Sequence, residues 1–600
     1  MKQFFVTMLG VFAGMLVFFL LLPVLFFMLI VGSMASSAGE TKIKQSSILE
    51  LDLRDGLADQ DAQSVALFAG SRMSVMRVIQ TMRHAETDDK VKAILVRLPE
   101  GGIAPATADE LRLAFRHFRA AGKPILAHSQ GLYPSGLVVS SYEVAAASGE
   151  IWMQPDSSFQ VTGVTTSEMF LKRAFDKYGV KANYEQRYEY KNAVNPYLQS
   201  DYTPAHREAT LSWMGSVFDS ALAQAAADRK KDPAALKALI AGGPYSAEQA
   251  RAHGLIDRVG QVHEAEEFLK ARAGGKAEIV DFEDYAGVVK ALPGRKRGPT
   301  IAVIGAEGPI ITGRGGAASP WSTDSTIYSD DTAKAFYDAI EDKDVKAIVF
   351  RVSSPGGSDT ASEQILAAMR AAKKAGKPVV VSMGTYAASG GYWISSDASA
   401  IVAQPSTLTG SIGVYGGKFA IGDALARFGV DMRDLSVGGQ YTDAFSPSRD
   451  FTPAQRAAFA SWMDTIYDGF VRRVAAGRKM PETRVRELAK GRVWTGAQAK
   501  QLGLVDEIGG FYEAVEKAKA LAKIAPADEV RFKFFPKESS PFEALSKAFG
   551  VSETSMRTVA AAGWIMADPR SQALLDRMAE AKMREGGRAA VLSEQRLPAH

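Results

Sequence analysis

Ser389 has the surroundings of a nucleophile. It stands in VVVSMGTYAASGGYWISSD (379–397), where the β-branched run Val379-Val380-Val381 reads as a buried strand that stops at Gly384. Helical spacing begins at Tyr392-Trp393-Ile394, so the serine falls on a strand-to-helix turn. There the unpaired N–H groups and the positive end of a helix can stabilise developing negative charge. Gly390 and Gly391 leave room for a carbonyl group to approach the backbone. The competing reading of such a serine is an ordinary helix N-cap.

A nucleophilic serine needs a base. The histidines are His84, His117, His128, His206, His253, His263 and His600, with none between 264 and 599. The chain has no cysteine, which excludes thiol catalysis, thiolate metal sites and disulfides. Lysine can serve once burial or a neighbouring cation lowers its pKa from about 10.4 toward neutrality. Two lysines are candidates: Lys418, in GGKFAIG close to the serine, and Lys191, in YEYKNAVNP in the other half of the chain. Either could equally be a surface lysine resting its stem on apolar neighbours.

An internal repeat favours Lys191, with Lys418 the leading rival because it lies in the serine's own unit. VKAILVR (91–97) recurs as VKAIVFR (345–351), and AGKP recurs at 121–124 and 375–378, both at an offset of 254. TPAHR (203–207) matches TPAQR (452–456), and HGLID (253–257) matches LGLVD (502–506), now at 249. At the first offset Ser389 aligns with Ser135, but the loops before the two serines differ. The second copy carries Ser353-Ser354-Pro355-Gly356-Gly357-Ser358; the first carries Pro99-Glu100-Gly101-Gly102-Ile103, with isoleucine in place of Gly357. A Pro-Gly-Gly loop at the carboxyl end of a sheet strand can turn an N–H toward a nucleophile, and isoleucine restricts that conformation. Lysine is distributed the other way, since Lys191 aligns with Gln440 at the second offset. One half thus keeps the serine and the other the lysine, as expected of one composite site per pair of halves, with Ser135 a relic.

The elements that would position these residues read as α/β. IAVIG (301–305), VKAIVFRV (345–352), KPVVVSM (377–383) and AIVAQP (400–405) are apolar runs alternating with helical stretches, which implies a mostly parallel sheet covered on both faces. The expected organisation is an anchor and stalk at 1–45, repeat units at 46–275 and 299–525, and a linker at 276–298. A largely helical extension follows at 526–600, opening on a possible strand EVRFKFF and continuing as an amphipathic stretch at 571–587.

Phe4 to Gly32 contains no charged residue and as a helix would be about 40 Å long, enough to span a bilayer with tilt. It is about twice the length of a usual signal h-region, which favours a retained anchor over a cleaved signal. Lys2 before it and Lys42 and Lys44 after it leave orientation weakly marked; a short cytoplasmic tail with the body exported is the expected arrangement. Lys+Arg 71 against Asp+Glu 67 gives a net charge of +4 without a dense basic block, so no nucleic-acid partner is expected. The chemistry requires neither cofactor nor metal.

TYAASGGYW (385–393), SSPGGS (353–358), PSTLTGSIGV (405–414) and YKNAVNP (190–196) together resemble the signal peptide peptidases of peptidase family S49, in the long, tandem-repeat, membrane-anchored bacterial form. The resemblance runs from the anchor to about 525. It implies the Clp protease/crotonase fold in two tandem units, Ser389 as nucleophile, and Lys191 as general base and acid supplied by the other half. It further implies an oxyanion hole from the N–H groups of Gly357 and Gly390 with Gly356 shaping the loop. Also implied are a homotetramer, signal peptide remnants as substrates, and a place in the bacterial inner membrane with the catalytic body on the periplasmic side. Two other readings are a crotonase-type acyl-CoA enzyme, expected to use carboxylates and to be soluble, and a membrane scaffold that has lost catalysis.

Overall fold

The computed structural model describes residues 46–61, 73–291, 298–315, 325–536 and 590–592. The apolar run at 4–32 and the helical stretch expected at 571–587 lie outside them. Three main sheets organise the described chain. The first is wholly parallel, in the order Arg258–Val259, Gly149–Met153, Ile125–Ser129, Val91–Arg97, Ser47–Asp52, Glu278–Asp281. The second runs Val493–Thr495, Leu408–Gly410, Val379–Ala388, Val345–Ser354, Thr300–Glu307, Arg531–Phe535, and Ala400–Ala403 and Glu507–Ile508 branch from the Val379–Ala388 strand. Its pairs are parallel except the one made by Val493–Thr495. Near-continuous burial along Val345–Ser354 and Val379–Ala388 is what helices on both faces produce.

The repeat extends further than the sequence suggests. Glu278–Asp281, inside the expected linker, joins the first sheet beside Ser47–Asp52, and helix Phe282–Ala291 follows it. Arg531–Phe535, placed in the extension, joins the second sheet beside Thr300–Glu307 in the same way. Each unit therefore closes on a strand laid against its own first strand. Glu278–Asp281 is only four residues long and short strands carry little periodicity, so the sequence hides it.

The units share a core. Val75, Met76 and Ile79, on helix Val75–Ala85 of the first unit, pack with Ile301, Val303, Val349, Val380 and Val402 of the second sheet. A polar clamp lies beside this layer. Arg351, 2% exposed, donates from Nη2 to Asp59 Oδ1 at 2.6 Å, from Nε to Asp59 Oδ2 at 3.0 Å and from Nη1 to Glu110 Oε2 at 3.1 Å. Glu110 also accepts from Gln404 Nε2 and the Phe511 N–H, and Asp109 accepts from the Ser406 N–H. The strand expected to stop at Gly384 instead continues to Ala388. Gly384 is where Asp59 comes close: a Cβ there would lie 2.6 Å from Asp59 Oδ1. The glycine marks a close approach by the other unit, not a strand end.

The third sheet joins segments distant in sequence: Ile327–Tyr328, Ile310–Ile311, Gly356–Ser358, Ala590–Leu592, Val414–Ala420 and Lys181–Arg187. Its last pair couples the first unit to the second, antiparallel from Lys181↔Ala420 to Arg187↔Val414.

The clamp yields a stability prediction. Arg351→Met strands two buried carboxylates and lowers the unfolding free energy by about 3–5 kcal/mol, measurable by denaturant titration. The triple variant Asp59→Asn, Glu110→Gln, Arg351→Met loses much less.

Candidate active site

Ser389 lies between strand Val379–Ala388 and helix Gly390–Ser395, with φ 57° and ψ −118°. For a residue with a side chain this is a strained backbone, held by its N–H donating to Gly410 O at 2.9 Å and its carbonyl accepting from Trp393 N–H at 2.9 Å. The side chain makes no capping bond, so the N-cap reading does not describe it. Its hydroxyl instead meets Lys191, whose Nζ lies 2.9 Å from Ser389 Oγ.

Lys191 arrives by the strand pairing between units. Beyond Arg187 the chain turns, with Tyr188 N–H and Tyr190 N–H both donating to Lys490 O, and Lys191 then enters the turn Asn192–Val194. Arg456 fastens the strand by donating to Glu185 Oε1 at 2.7 Å and to Asn183 Oδ1 at 2.9 Å. Tyr184, Tyr197, Phe175 and Phe419 pack as one aromatic group across the joint. Lysine and serine therefore meet within one chain.

Lys191 is 1% exposed, and Nζ is also 3.0 Å from Ser411 Oγ and 3.2 Å from Ser411 O. Burial lowers its pKa from 10.5 to about 7, with no opposing charge to hold the proton. The rival Lys418 points elsewhere. Its Nζ donates to Ser446 O at 2.8 Å and Arg449 O at 2.7 Å and lies over the Phe451 ring.

Gly356 has φ 109°, and its N–H donates to Ser354 Oγ at 3.1 Å. Gly357 follows in the strand Gly356–Ser358, and a Cβ there would lie 2.0 Å from Ile310 O, so no side chain fits. Gly390 opens its helix, where N–H groups lack intrahelical acceptors. A Cβ on Gly390 would lie 2.9 Å from Gly357 N, so the two backbone groups are neighbours beside Ser389.

Two contributors escaped the sequence reading. Ser411 lies inside PSTLTGSIGV, where its spacing does not set it apart; its φ is 48°, and both its carbonyl and its hydroxyl meet the amine. Gly491 has φ 83°, and a Cβ there would lie 2.5 Å from Lys191 Cβ, so the glycine admits the lysine. Nothing in its spacing marks it.

The first unit's matching place is closed. Gly102 N–H donates to Ser135 O at 2.8 Å, and Ile103 N–H donates to Ser141 Oγ at 3.1 Å. Ser135 sits in a bend before helix Val138–Ser148, not at its first turn. Tyr142 and Tyr392 fix the helical alignment, donating to Leu255 O and Leu504 O respectively, and on that alignment Val139 stands opposite Ser389. The offset-254 match to Ser135 fails because four extra residues separate Leu132 from Tyr142, compared with Tyr386 from Tyr392.

Two blocks of the chain, residues 117–276 and 371–525, match the model of peptidase family S49. The chain is 36% identical over 465 residues to Protease 4 of Salmonella typhi, covering 75% of this chain and 72% of that protein. It is 34% identical over 531 residues to Protease 4 of Haemophilus influenzae, covering 83% of each. It is 27% identical over 491 residues to the chloroplastic serine protease SPPA of Arabidopsis thaliana, covering 80% of this chain and 70% of that one.

The lysine makes stability depend on pH in a defined direction. Between pH 7 and 10.5 the unfolded chain keeps a proton on Lys191 that the folded chain has released, so unfolding free energy rises with pH across that window. Lys191→Met removes this contribution. Its unfolding free energy exceeds that of the parent at pH 7, and the gap shrinks by up to about 1.4 kcal/mol per pH unit toward pH 10.

Proposed function

The chain belongs to peptidase family S49, and we propose that it is a membrane-anchored Ser–Lys endopeptidase that degrades hydrophobic peptides such as cleaved signal peptides. The observation that carries this reading is the contact of a buried amine, its pKa near 7, with the Ser389 hydroxyl. An uncharged amine has two N–H donors and one lone pair. Ser411 O and Oγ take the two donors, leaving the lone pair to accept the Ser389 proton. An acyl-CoA enzyme of the crotonase kind would be expected to bring a carboxylate to this place, whereas the hydrogen-bond partners of Lys191 Nζ among the described residues are one carbonyl and two hydroxyls.

In the reaction, Lys191 Nζ takes the proton as Ser389 Oγ bonds to the peptide carbonyl carbon. The resulting oxyanion accepts from the N–H groups of Gly357 and Gly390, each worth about 3–4 kcal/mol in the transition state. Collapse breaks the C–N bond, and the lysine ammonium protonates the leaving amine. Lys191, neutral again, takes a proton from water as the water oxygen bonds to the ester carbonyl carbon; the ester C–O bond then breaks, and the ammonium returns the proton to Ser389 Oγ. Gly356 shapes the loop that aims Gly357. The apolar segment at 4–32 would hold the enzyme in the bacterial inner membrane, with its catalytic body on the periplasmic side, where released signal peptides are within reach.

The repeat also supports the homotetramer. Gly179 and Gly429 end matching helical turns with φ 79° and 76°, so 431–437 is the counterpart of Lys181–Arg187, and 164–170 that of Val414–Ala420. The second pair of segments forms no strand within this chain. Leu435 and Val437 are fully exposed, and Met169 is 75% exposed. Placing 431–437 of one copy on 164–170 of the next repeats the joint within the chain and gives a head-to-tail ring.

Ser389→Ala and Lys191→Ala each lower kcat/KM on an apolar peptide at least 1,000-fold, by order of magnitude, with folding intact by circular dichroism. The parent's kcat/KM rises with pH through about 7 as the amine loses its proton. Full activity of either variant refutes the assignment. The double change Leu435→Asp and Val437→Asp reduces the assembly to single chains by light scattering in detergent; an unchanged mass refutes the proposed joint.

A further inference from the structure

Arg492 follows Gly491, the glycine that admits Lys191, and the proposed reaction gives its guanidinium no part. That group is nonetheless closely held. Nη1 donates to Glu208 Oε2 at 2.6 Å and Nη2 to Glu208 Oε1 at 2.7 Å, a two-pronged pair with the long helix Pro204–Arg229 of the first unit. The guanidinium carbon lies 4.8 Å from the centre of the Tyr190 ring and 4.3 Å from that of Trp494. Its Nε is buried and has no hydrogen-bond partner among the described residues. The position therefore favours contact with two rings over a full set of hydrogen bonds.

The main chain of the same segment holds the other partner of the amine. Arg492 O accepts from the Ser411 N–H at 2.7 Å, and Gly491 N–H donates to Ile412 O at 2.9 Å. Ser411 in turn supplies the carbonyl and one of the two hydroxyls that meet Lys191 Nζ. On the lysine's side, Tyr190 immediately precedes Lys191, and its N–H donates to Lys490 O at 3.1 Å. Val493 pairs with Gly410, whose carbonyl accepts the Ser389 N–H. The charged groups around this segment are Glu208 and the pair of Lys490 with Glu189 at 2.9 Å, and neither carboxylate bonds the amine. Resting on the reading of Ser389 and Lys191 as the reacting pair, we infer that Arg492 is a positioning residue for the general base. Its side chain holds the lysine's turn down through Tyr190 while its carbonyl fixes Ser411, so that Lys191 Nζ stays dry and aimed at Ser389 Oγ. With the clamp gone the turn lifts, water reaches the amine, and hydration favours the ammonium. Lysine at 492 does not replace it, because an ammonium neither forms the two-pronged pair nor offers a planar group to the rings.

The test is the pH profile of kcat/KM on an apolar peptide, measured with the full-length chain in detergent. Arg492→Leu raises the profile's midpoint by about one pH unit or more, so that activity at pH 7 falls about fivefold or more and is largely regained by pH 9.5. Arg492→Lys shifts it likewise. Tyr190 carries the test should the arginine variants not fold: Tyr190→Leu moves the midpoint upward, and Tyr190→Phe, which keeps a ring against the guanidinium, restores it. An unmoved midpoint in Arg492→Leu, Arg492→Lys or Tyr190→Leu overturns the inference, as does an equal loss of activity at every pH, which a merely structural role gives. The parent decides the underlying reading separately. Labelling of Ser389 by a fluorophosphonate and a midpoint near 7 uphold it; a parent neither labelled nor active overturns that reading, and this inference with it.

Discussion

An amine buried without a counter-charge against a serine hydroxyl sets the terms for the rest of the molecule. Desolvation penalises the ammonium, and the groups within reach of Lys191 Nζ, a carbonyl and two hydroxyls, offer hydrogen bonds and no opposite charge. The environment therefore favours the neutral form that the proposed chemistry needs. Such a site must be dry and closely fitted, and much of the surrounding structure serves that requirement. Gly491 lets the lysine backbone come close, Ser411 bends to meet the amine twice, and strained Ser389 presents its oxygen from a sharp turn.

Because amine and alcohol come from different repeats, the site exists only while the repeats are docked. Two joints of different physics hold them. Pairing of Lys181–Arg187 with Val414–Ala420 sets the register that brings Lys191 to the serine, and a slip of one residue would turn alternate side chains to the wrong face. Arg351, gripped by Asp59 and Glu110 beneath the second sheet, fixes how the units sit and would be costly to break on one side alone. The first unit shows what happens where this demand has been relaxed. Its glycine loop donates to Ser135 and Ser141, so the N–H groups that match those proposed for the oxyanion hole are consumed locally.

Much of this arrangement is legible in the sequence, for identifiable reasons. Long buried strands such as Val345–Ser354 and Val379–Ala388 announce themselves as apolar runs, and the duplication turns one half into a comparison for the other. The pairing of Lys191 with Ser389 follows from which residue each copy kept. What stays hidden depends on contacts between distant segments. Gly384 looks like a strand end because spacing says nothing of Asp59 arriving from the other unit. Glu278–Asp281 is too short to show a period, and EVRFKFF reads as a strand without showing that it joins the second sheet, so the units seem to end early. A fixed offset carried across an insertion gives Ser135 as the counterpart of Ser389, whereas the tyrosine hydroxyl bonds select Val139. The strand at Ala590–Leu592 has no sequence signal beyond three apolar residues, and only its partners give it meaning.

The central claim is that one chain supplies both halves of the reacting pair, with the amine uncharged and the glycine N–H groups facing the developing oxyanion. A crystal structure of the assembled protein acylated with a β-lactone tests it most directly. The account predicts an ester on Ser389 Oγ, its carbonyl oxygen within hydrogen-bond distance of Gly357 N and Gly390 N, and Lys191 Nζ of the same chain beside the ester oxygen. An ester on another residue, or Lys191 turned to solvent or paired with the serine of a neighbouring copy, would contradict it.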